Sequence, residues 1–352
     1  MFYRRSRHAY PIANRERGAA LVVALLVFAL SASLVVAMRS EFNRYFTRSA
    51  NLLEAEQAHA YLRGAEELAV MVLLADFDLD QQNLPAKDDL NEMWADEPTP
   101  FLLDEGGWLR GGLIDLNSRF NINTLRITPQ TVPPVPPNST RVYSVHQKQF
   151  IRLLQALEEP EISESDAKLI TDSIADWIDE DQTPLPQGAE DDYYFGQEPP
   201  RRTANRPMTS TTELLSIANM TPQIYRALRP FITAWPSDAT DFKINIHTAS
   251  ATILRTINDD DVLSPLSESD GLALKETRDE TGFEDLADFY KQPAFDAGKM
   301  NITWANDVLD VTSDYYLLTA DVAVGDRNMN LYSVLHQDNR AVTTLVRSTG
   351  DL

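Results

Sequence analysis

The densest group of polar side chains that could do chemistry lies between Asp176 and Asp192. Seven carboxylates fall within these seventeen residues, and prolines together with Gly188 predict a loop. Like charges about 4 Å apart repel by about 4 kcal/mol per pair in an intermediate dielectric, so a bound cation would turn a cost into binding energy. The chain has no cysteine and its five histidines are scattered. The available ligands are therefore hard oxygens, which favour Ca²⁺ over Zn²⁺ or a redox metal.

Part of this loop follows the spacing of an EF-hand calcium loop. Oxygen-bearing side chains occupy offsets 1, 3, 5, 9 and 12 of that template, namely Asp179, Asp181, Thr183, Gln187 and Glu190. Offset 6 requires glycine and holds Pro184, so the sequence does not predict a true EF-hand. Further candidate ligands stay open, namely Asp176, Asp191, Asp192 and Asn205. The alternative interpretation is a solvated acidic loop that binds no ion.

Composition narrows the classes of function. The 352 residues carry a net charge of −22, and because residues 1–18 contribute +4, the remainder carries −26. Such an acidic surface argues against a nucleic-acid partner, which needs a basic face. The sequence contains no H-E-x-x-H, no G-x-S-x-G and no P-loop, so we expect assembly rather than catalysis. Paired acids such as Asp179 and Asp181 keep a membrane-anchored, calcium-dependent periplasmic hydrolase open as an alternative.

The N-terminal part of the chain predicts a membrane helix. Residues 19–38 contain no charge, and twenty residues of helix rise about 30 Å, which matches the hydrocarbon thickness of a bilayer. Five arginines against one acid in residues 1–18 predict a single-pass anchor with the N-terminus in the cytoplasm. A cleaved secretory signal is the alternative, but the apolar run is too long for its core and helical patterning continues to about Ala75.

The leader ends in Gly18, and the uncharged run begins at Ala19. This arrangement resembles the class III signal anchors of type IV pilins and type II secretion pseudopilins. In that family, prepilin peptidase cuts after the glycine and methylates the new amine, which implies cleavage between Gly18 and Ala19. The family's usual glutamate at the fifth mature residue is here Val23. Because that acid neutralises the N-terminal amine of a neighbouring subunit, its absence fits a subunit at the filament tip.

The acidic loop also matches a family pattern. Asp176 to Asp181 reads D-W-I-D-x-D, and Gly188 to Tyr194 reads G-A-E-D-x-x-Y. Both resemble the type II secretion system protein K family, whose members bind calcium in this region. The resemblance implies a minor pseudopilin at the pseudopilus tip, with minor pseudopilins I and J as partners. It also implies an inner-membrane anchor and a periplasmic soluble domain. A type IV pilus tip subunit is the second alternative.

The rest of the chain predicts an α+β fold. Residues 314–349 read as a three-strand meander, and a further strand is expected near residues 113–125. The long helix can pack its apolar stripe on this antiparallel sheet, which gives a pilin-like fold with an inserted, mainly helical, SAM-like domain. The predicted boundaries are a leader at 1–18, the membrane segment at 19–38, pilin-like parts at 39–138 and 296–352, and the insert at 139–295. A proline-rich linker over 128–138 marks the first boundary of the insert. Within the insert, Ser163 with Asp166 resembles a capping box, and the helix that follows is predicted to have one apolar face and to end near Trp177.

Overall fold

The computed structural model describes residues 16–82, 84–104, 106–126, 143–298 and 300–350. The chain divides into two compact units, Met1–Ala58 and His59–Leu352. The described α-helices are α1 (Glu16–Asp80), α2 (Val145–Gln155), α3 (Glu164–Ile178), α4 (Asp191–Phe195), α5 (Pro222–Leu228), α6 (Ala251–Leu254), α7 (Glu268–Glu280) and α8 (Leu286–Phe289). The strands are β1 (Phe101–Leu102), β2 (Gly107–Asp115), β3 (Phe120–Asn121), β4 (Ile232–Thr233), β5 (Ile244–Asn245), β6 (Leu309–Asp310), β7 (Tyr315–Val324), β8 (Arg327–Asp338) and β9 (Ala341–Ser348).

The described residues of the first unit form the N-terminal part of α1. This helix spans 65 residues and ends at Asp80, five residues beyond the predicted end near Ala75. Among the described residues it is the one helix long and apolar enough to cross a membrane, with an 18-residue window of mean hydropathy 2.8. No residue of that window is buried, and Phe28, for example, is 72% exposed. The helix is compatible with the predicted single-pass anchor.

A five-stranded antiparallel sheet forms one part of the second unit. Its strand order is β1-β2-β7-β8-β9, so the predicted C-terminal meander is confirmed. Alternate residues of β7 are buried, as expected of a sheet with one covered face, namely Tyr316, Leu318, Ala320, Val322 and Val324.

The C-terminal part of α1 packs on this sheet. Its buried side chains recur at spacings of three and four, which places them on one face of the helix, and they include Leu62, Ala65, Ala69 and Leu73. A Cβ atom added to Gly111 of β2 would lie 3.9 Å from the Cβ atom of Ala65. The small side chains at the crossing therefore allow the helix to approach the strands closely.

In the sequence, α2 to α8 all lie between β2 and β7, which are neighbours in the sheet. β2 pairs with β7 in antiparallel register from Gly107↔Val324 to Asp115↔Tyr316, although about 200 residues separate Asp115 from Tyr316. The intervening segment has its own apolar core, in which the most deeply buried side chains include Phe120, Phe150, Ile174, Leu254 and Phe289. The predicted α+β fold with a helical insertion is therefore confirmed.

The strand expected near residues 113–125 lies earlier in the chain. β2 ends at Asp115 because the Asp115 Oδ1 accepts a hydrogen bond from the Asn117 N–H at 2.6 Å, which turns the chain. Residues 122–125 form a 3₁₀ helix whose first turn is capped by the Asn121 side chain. Side-chain oxygens of Asp115 and Asn121 thus accept backbone hydrogen bonds at the turns before and after the short strand β3. The proline-rich linker predicted over 128–138 lies outside the described residues.

Candidate functional site

Helix α3 delivers the first part of the acidic site. Ser163 caps its N-terminus by accepting from the Asp166 N–H, and the helix ends at Ile178, close to the predicted end at Trp177. Asp176 lies in its last turn and Asp179 is its C-cap residue. The apolar side of α3 is buried in the core of the helical region, so these two acids are held on a rigid element.

Asp176, Asp179 and Glu190 come together into one group of carboxylates. One oxygen from each lies within 4.8 Å of the others, and the three residues are 0%, 4% and 4% exposed. Two of them, Asp179 and Glu190, are the first and last positions of the predicted EF-hand spacing. Two charges 4.8 Å apart repel by about 3 kcal/mol at an effective dielectric of 20, so the group is unfavourable without positive charge nearby.

The electrostatics of the group show the same cost. Burial, together with repulsion from neighbouring acids, raises the pKa of Asp176 to about 8 and the pKa values of Asp179 and Glu190 to about 7. The Asp179 Oδ1 and both carboxylate oxygens of Glu190 are buried without a hydrogen-bond partner in the described part of the chain. Unpartnered, buried, hard oxygens are the donor set that Ca²⁺ takes, so these residues fit a calcium ion.

The loop after α3 closes over Asp176. The Leu185 N–H donates to both Asp176 oxygens, at 3.2 and 3.1 Å. A Cβ atom added to Gly188 would lie 1.9 Å from the Asp176 Oδ2, so only glycine allows the backbone to pass this close. Gly188 therefore has a geometric role in bringing Glu190 to the group.

The other predicted ligands lie at the rim of the loop and have different partners. Asp181, Thr183, Gln187 and Asp192 are exposed. The Asp181 Oδ1 accepts from the Thr183 N–H at 2.7 Å.

Asp191 and Asn205 also have partners outside the group. The Asp191 Oδ1 accepts from the Thr203 N–H and hydroxyl, each at 2.9 Å. The Asn205 Nδ2 donates to the Asp181 carbonyl at 3.3 Å, while its Oδ1 is buried without a partner among the described residues. The group of three carboxylates thus contains Asp179 and Glu190 from the EF-hand spacing, together with Asp176.

One supporting residue was missed by the sequence analysis. The Asp172 Oδ2 accepts from the Gln187 N–H at 3.3 Å and so fixes the loop on α3. Its spacing was the available signal, because acids at 172, 176 and 179 recur at intervals of four and three, on one face of the predicted helix.

The residues of the predicted processing site lie on α1. Gly18 and Ala19 are both helical and exposed, and nothing lies within 4 Å of a Cβ atom built on Gly18. Val23 follows on the same helix and is 60% exposed, in a run without charged side chains. The residues of the leader before Glu16 lie outside the described part of the chain.

Comparison with known proteins identifies the family. Two sequence profiles of type II secretion system protein K match residues 118–237 and 244–312, which together make up more than half of the chain. The protein of that name from Pectobacterium carotovorum subsp. carotovorum is 31% identical over 96% of this chain and 97% of its own length. The one from Pseudomonas aeruginosa is 32% identical over 92% of this chain and 89% of its own length.

A solved structure agrees with these relatives. A chain in the crystal structure of the GspK-GspI-GspJ complex from enterotoxigenic Escherichia coli superimposes with a TM-score of 0.70 and 26% sequence identity. The match covers 87% of this chain and 100% of that one. The chain therefore belongs to the type II secretion system protein K family and is a minor pseudopilin of that secretion system.

Proposed function

We propose that this minor pseudopilin occupies the tip of the pseudopilus, where it starts or caps the filament that exports proteins across the outer membrane. The observation that carries the proposal is Val23, an exposed apolar residue in the uncharged stretch of α1 at residues 19–38. A subunit above would bring its positive N-terminal amine into the apolar filament core, and Val23 offers that amine no counter-charge. The uncompensated charge makes any position below another subunit unfavourable.

The N-terminal helix supports the proposed processing and location. Gly18 and Ala19 are accessible on α1, so prepilin peptidase can cut the bond between them and methylate the new amine. Residues 19–38 then anchor the chain in the inner membrane with the N-terminus in the cytoplasm and the soluble part in the periplasm. In this role the protein acts by assembly and carries out no catalysis.

The proposed partners are minor pseudopilins I and J. The solved relative was crystallised in a GspK-GspI-GspJ complex. The similarity of the two chains over 87% of this one supports an equivalent assembly here.

Calcium is the proposed cofactor at Asp176, Asp179 and Glu190. The ion supplies positive charge between the end of α3 and the residue that precedes α4, which offsets the repulsion among the three carboxylates. Its role is structural, because it joins two ordered parts of the protein. These are the packed helix α3 on one side of the site and the closed loop on the other.

Labelling of assembled pseudopili tests the proposed position. Gold-tagged antibody against this chain should mark one end of each filament and leave the shaft unlabelled. Replacing Val23 by glutamate supplies the missing counter-charge, so Val23→Glu should place label along the shaft, while Val23→Leu should keep it at the end. Label along the shaft of unmodified filaments would refute the tip position.

N-terminal sequencing tests the proposed processing. The mature protein should begin at Ala19, carrying a methylated amine. A mature protein that begins at any other residue contradicts the class III assignment, whatever the outcome of the labelling experiment.

Calorimetry on the full-length chain in detergent tests the cofactor. Asp179→Asn should weaken Ca²⁺ binding at this site at least tenfold, because it removes a buried, unpartnered ligand. Asp181→Asn removes the same charge from an exposed position and should change the affinity little. Equal effects of the two substitutions would show that net charge, rather than this group, determines binding.

A further inference from the structure

A second group of carboxylates lies near the N-terminal end of the second unit, His59–Leu352. One oxygen each from Asp76, Asp88 and Glu92 lies within 4.8 Å of the others. Asp76 is near the C-terminal end of α1, whereas the other two belong to the segment between α1 and β1. The sequence analysis did not single out these residues as candidate ligands.

Asp76 is buried in this group without a partner. The residue is 6% exposed, and its carboxylate has no hydrogen bond or ion pair with any described residue. An aspartate on a helix that packs on a sheet would ordinarily face water or a basic side chain. Here the carboxylate points at two further acids.

Donors fix the other two carboxylates in place. The Asp88 Oδ2 accepts from the Ser313 N–H at 2.6 Å, and the residue is 7% exposed. The Glu92 Oε2 accepts from the Trp94 indole Nε1 at 2.7 Å. The three acids therefore converge through ordered contacts rather than by chance on a mobile surface.

No basic side chain of the described residues neutralises the group. Lys87 pairs with Asp89 at 3.0 Å. Burial, followed by repulsion from neighbouring acids, raises the pKa of Asp76 to about 7, and burial raises the pKa of Asp88 to about 8 and of Glu92 to about 7. The group therefore has no basic partner among the described residues.

We propose that Asp76, Asp88 and Glu92 bind a second hard divalent cation, calcium, which ties the end of α1 to the segment that follows it. Three carboxylates in a buried site suit Ca²⁺, whereas Mg²⁺ keeps several waters and uses one or two carboxylates. Because the Trp94 indole donates to Glu92, the ion also fixes the Trp94 ring. This ring packs edge-on against the ring of Tyr316 in β7, with 5.2 Å between the ring centroids. It therefore stabilises the junction between the long helix, this segment and the sheet, independently of the site at Asp176.

Ion counting on the full-length chain in detergent tests the proposal. Equilibrium dialysis against Ca²⁺ followed by mass spectrometry of the metal should find two ions per chain. Asp179→Asn combined with Glu190→Gln should leave one ion, and Asp76→Asn combined with Glu92→Gln should also leave one. All four substitutions together should leave none.

A matched control separates ligands from net charge. Asp96→Asn with Glu97→Gln removes two charges from exposed positions in the same segment and should keep two ions. Loss of an ion from this control would overturn the assignment to Asp76, Asp88 and Glu92. Two ions retained by the Asp76→Asn, Glu92→Gln variant would overturn it as well.

The decisive measurement uses a variant in which Asp76, Asp88 and Glu92 are unchanged. The Asp179→Asn, Glu190→Gln variant should bind one Tb³⁺ whose emission is sensitised by tryptophan, because Trp94 contacts Glu92. Added Ca²⁺ should displace it. A variant that is folded by circular dichroism but binds no ion and gives no sensitised emission would refute the second site, whether or not the Asp76 variant folds.

Discussion

Two buried acids on the same helix have opposite surroundings. Glu66 and Asp76 both lie on α1, ten residues apart, and are 5% and 6% exposed. Glu66 receives a bidentate pair from Arg347, at 2.7 Å to its Oε1 and 2.9 Å to its Oε2, and a hydrogen bond from the Ser333 hydroxyl at 2.6 Å. Asp76 receives no donor from the described residues and faces two further carboxylates.

The difference shows that burial alone does not set the charge of a side chain. Burial is the largest influence on Glu66 and raises its pKa, but the hydrogen bonds from Arg347, Ser333 and Thr344 and the charge of Arg347 together outweigh it, so the pKa lies below the usual range. Burial has no such opposition at Asp76, and the pKa rises to about 7. One acid is compensated within the chain, and the other requires a partner from outside it.

Of the experiments that compare Glu66 with Asp76, removal of calcium should cause the largest change in the free energy of unfolding. At a free Ca²⁺ concentration of 100 times Kd, each site contributes about 2.7 kcal/mol, so EDTA should lower the free energy of unfolding by about 5 kcal/mol for two sites. Denaturant unfolding followed by tryptophan fluorescence measures the loss. Glu66→Gln should retain the full calcium effect, whereas Asp76→Asn with Glu92→Gln should retain about half. Identical midpoints with calcium and with EDTA would contradict this expectation.

Substitution of Glu66 should cause the second-largest change in the free energy of unfolding. Glu66→Gln replaces a charge-assisted bidentate contact by a neutral one and should cost about 2 kcal/mol of unfolding free energy. The same denaturant titration measures it. Asp78→Asn is the control, since Asp78 pairs with Arg340 at the surface and its loss should not change stability measurably. Equal effects of the two substitutions would show that the Glu66 contact has no special value.

Asp76→Asn should act in the opposite direction when calcium is absent. In EDTA the substitution removes one of three repelling charges and should raise the free energy of unfolding by at least about 1 kcal/mol, which is the repulsion of a like-charge pair about 4 Å apart even in bulk water. Thermal melts at pH 8 in EDTA measure the gain. With saturating calcium the sign should reverse, because a ligand is lost. A loss of stability in EDTA would mean that the Asp76 carboxylate has a favourable contact within the chain.

The pH dependence of the Glu66 contact should give the smallest signal. Because the folded pKa of Glu66 lies below its unfolded value, its contribution is present above about pH 4.5 and is lost as the pH falls through the folded pKa. Chemical denaturation between pH 6 and pH 3 should therefore show a steeper loss for the parent than for Glu66→Gln. Parallel curves would contradict the lowered pKa.

Local sequence signals predicted the parts of the fold and site that depend on neighbouring residues. The uncharged run at 19–38, the caps and apolar face of α3 and the alternation in β7 each follow from spacing within one element. Asp179 and Glu190 were predicted because the site at Asp176 lies within one short loop. The acids that the loop turns outward, such as Asp181, were not separable from the inward ones by spacing alone.

Long-range geometry was not readable in the same way. The Glu66 contact joins residues 281 apart in the chain, and no local pattern selects Arg347 from the other arginines. The group at Asp76 depends on how the segment after α1 folds back, so its acids read as part of an irregular connection. The end of β2 was also displaced, because the Asp115 and Asn121 side chains accept backbone hydrogen bonds that turn the chain.

The pairing of β2 with β7 has a consequence for folding. The helical insertion leaves and rejoins the sheet at one point, where the Leu116 N–H donates to the Tyr315 carbonyl at 2.9 Å. Closing a loop of about 200 residues costs about 3 kcal/mol more chain entropy than closing a hairpin of five. A chain that joined Asp115 to Tyr315 through a short turn would avoid this penalty, because the two ends of the insertion already meet in the folded structure. Condensation of the insertion before the sheet forms would bring these ends together and so lower the entropy cost of pairing β2 with β7.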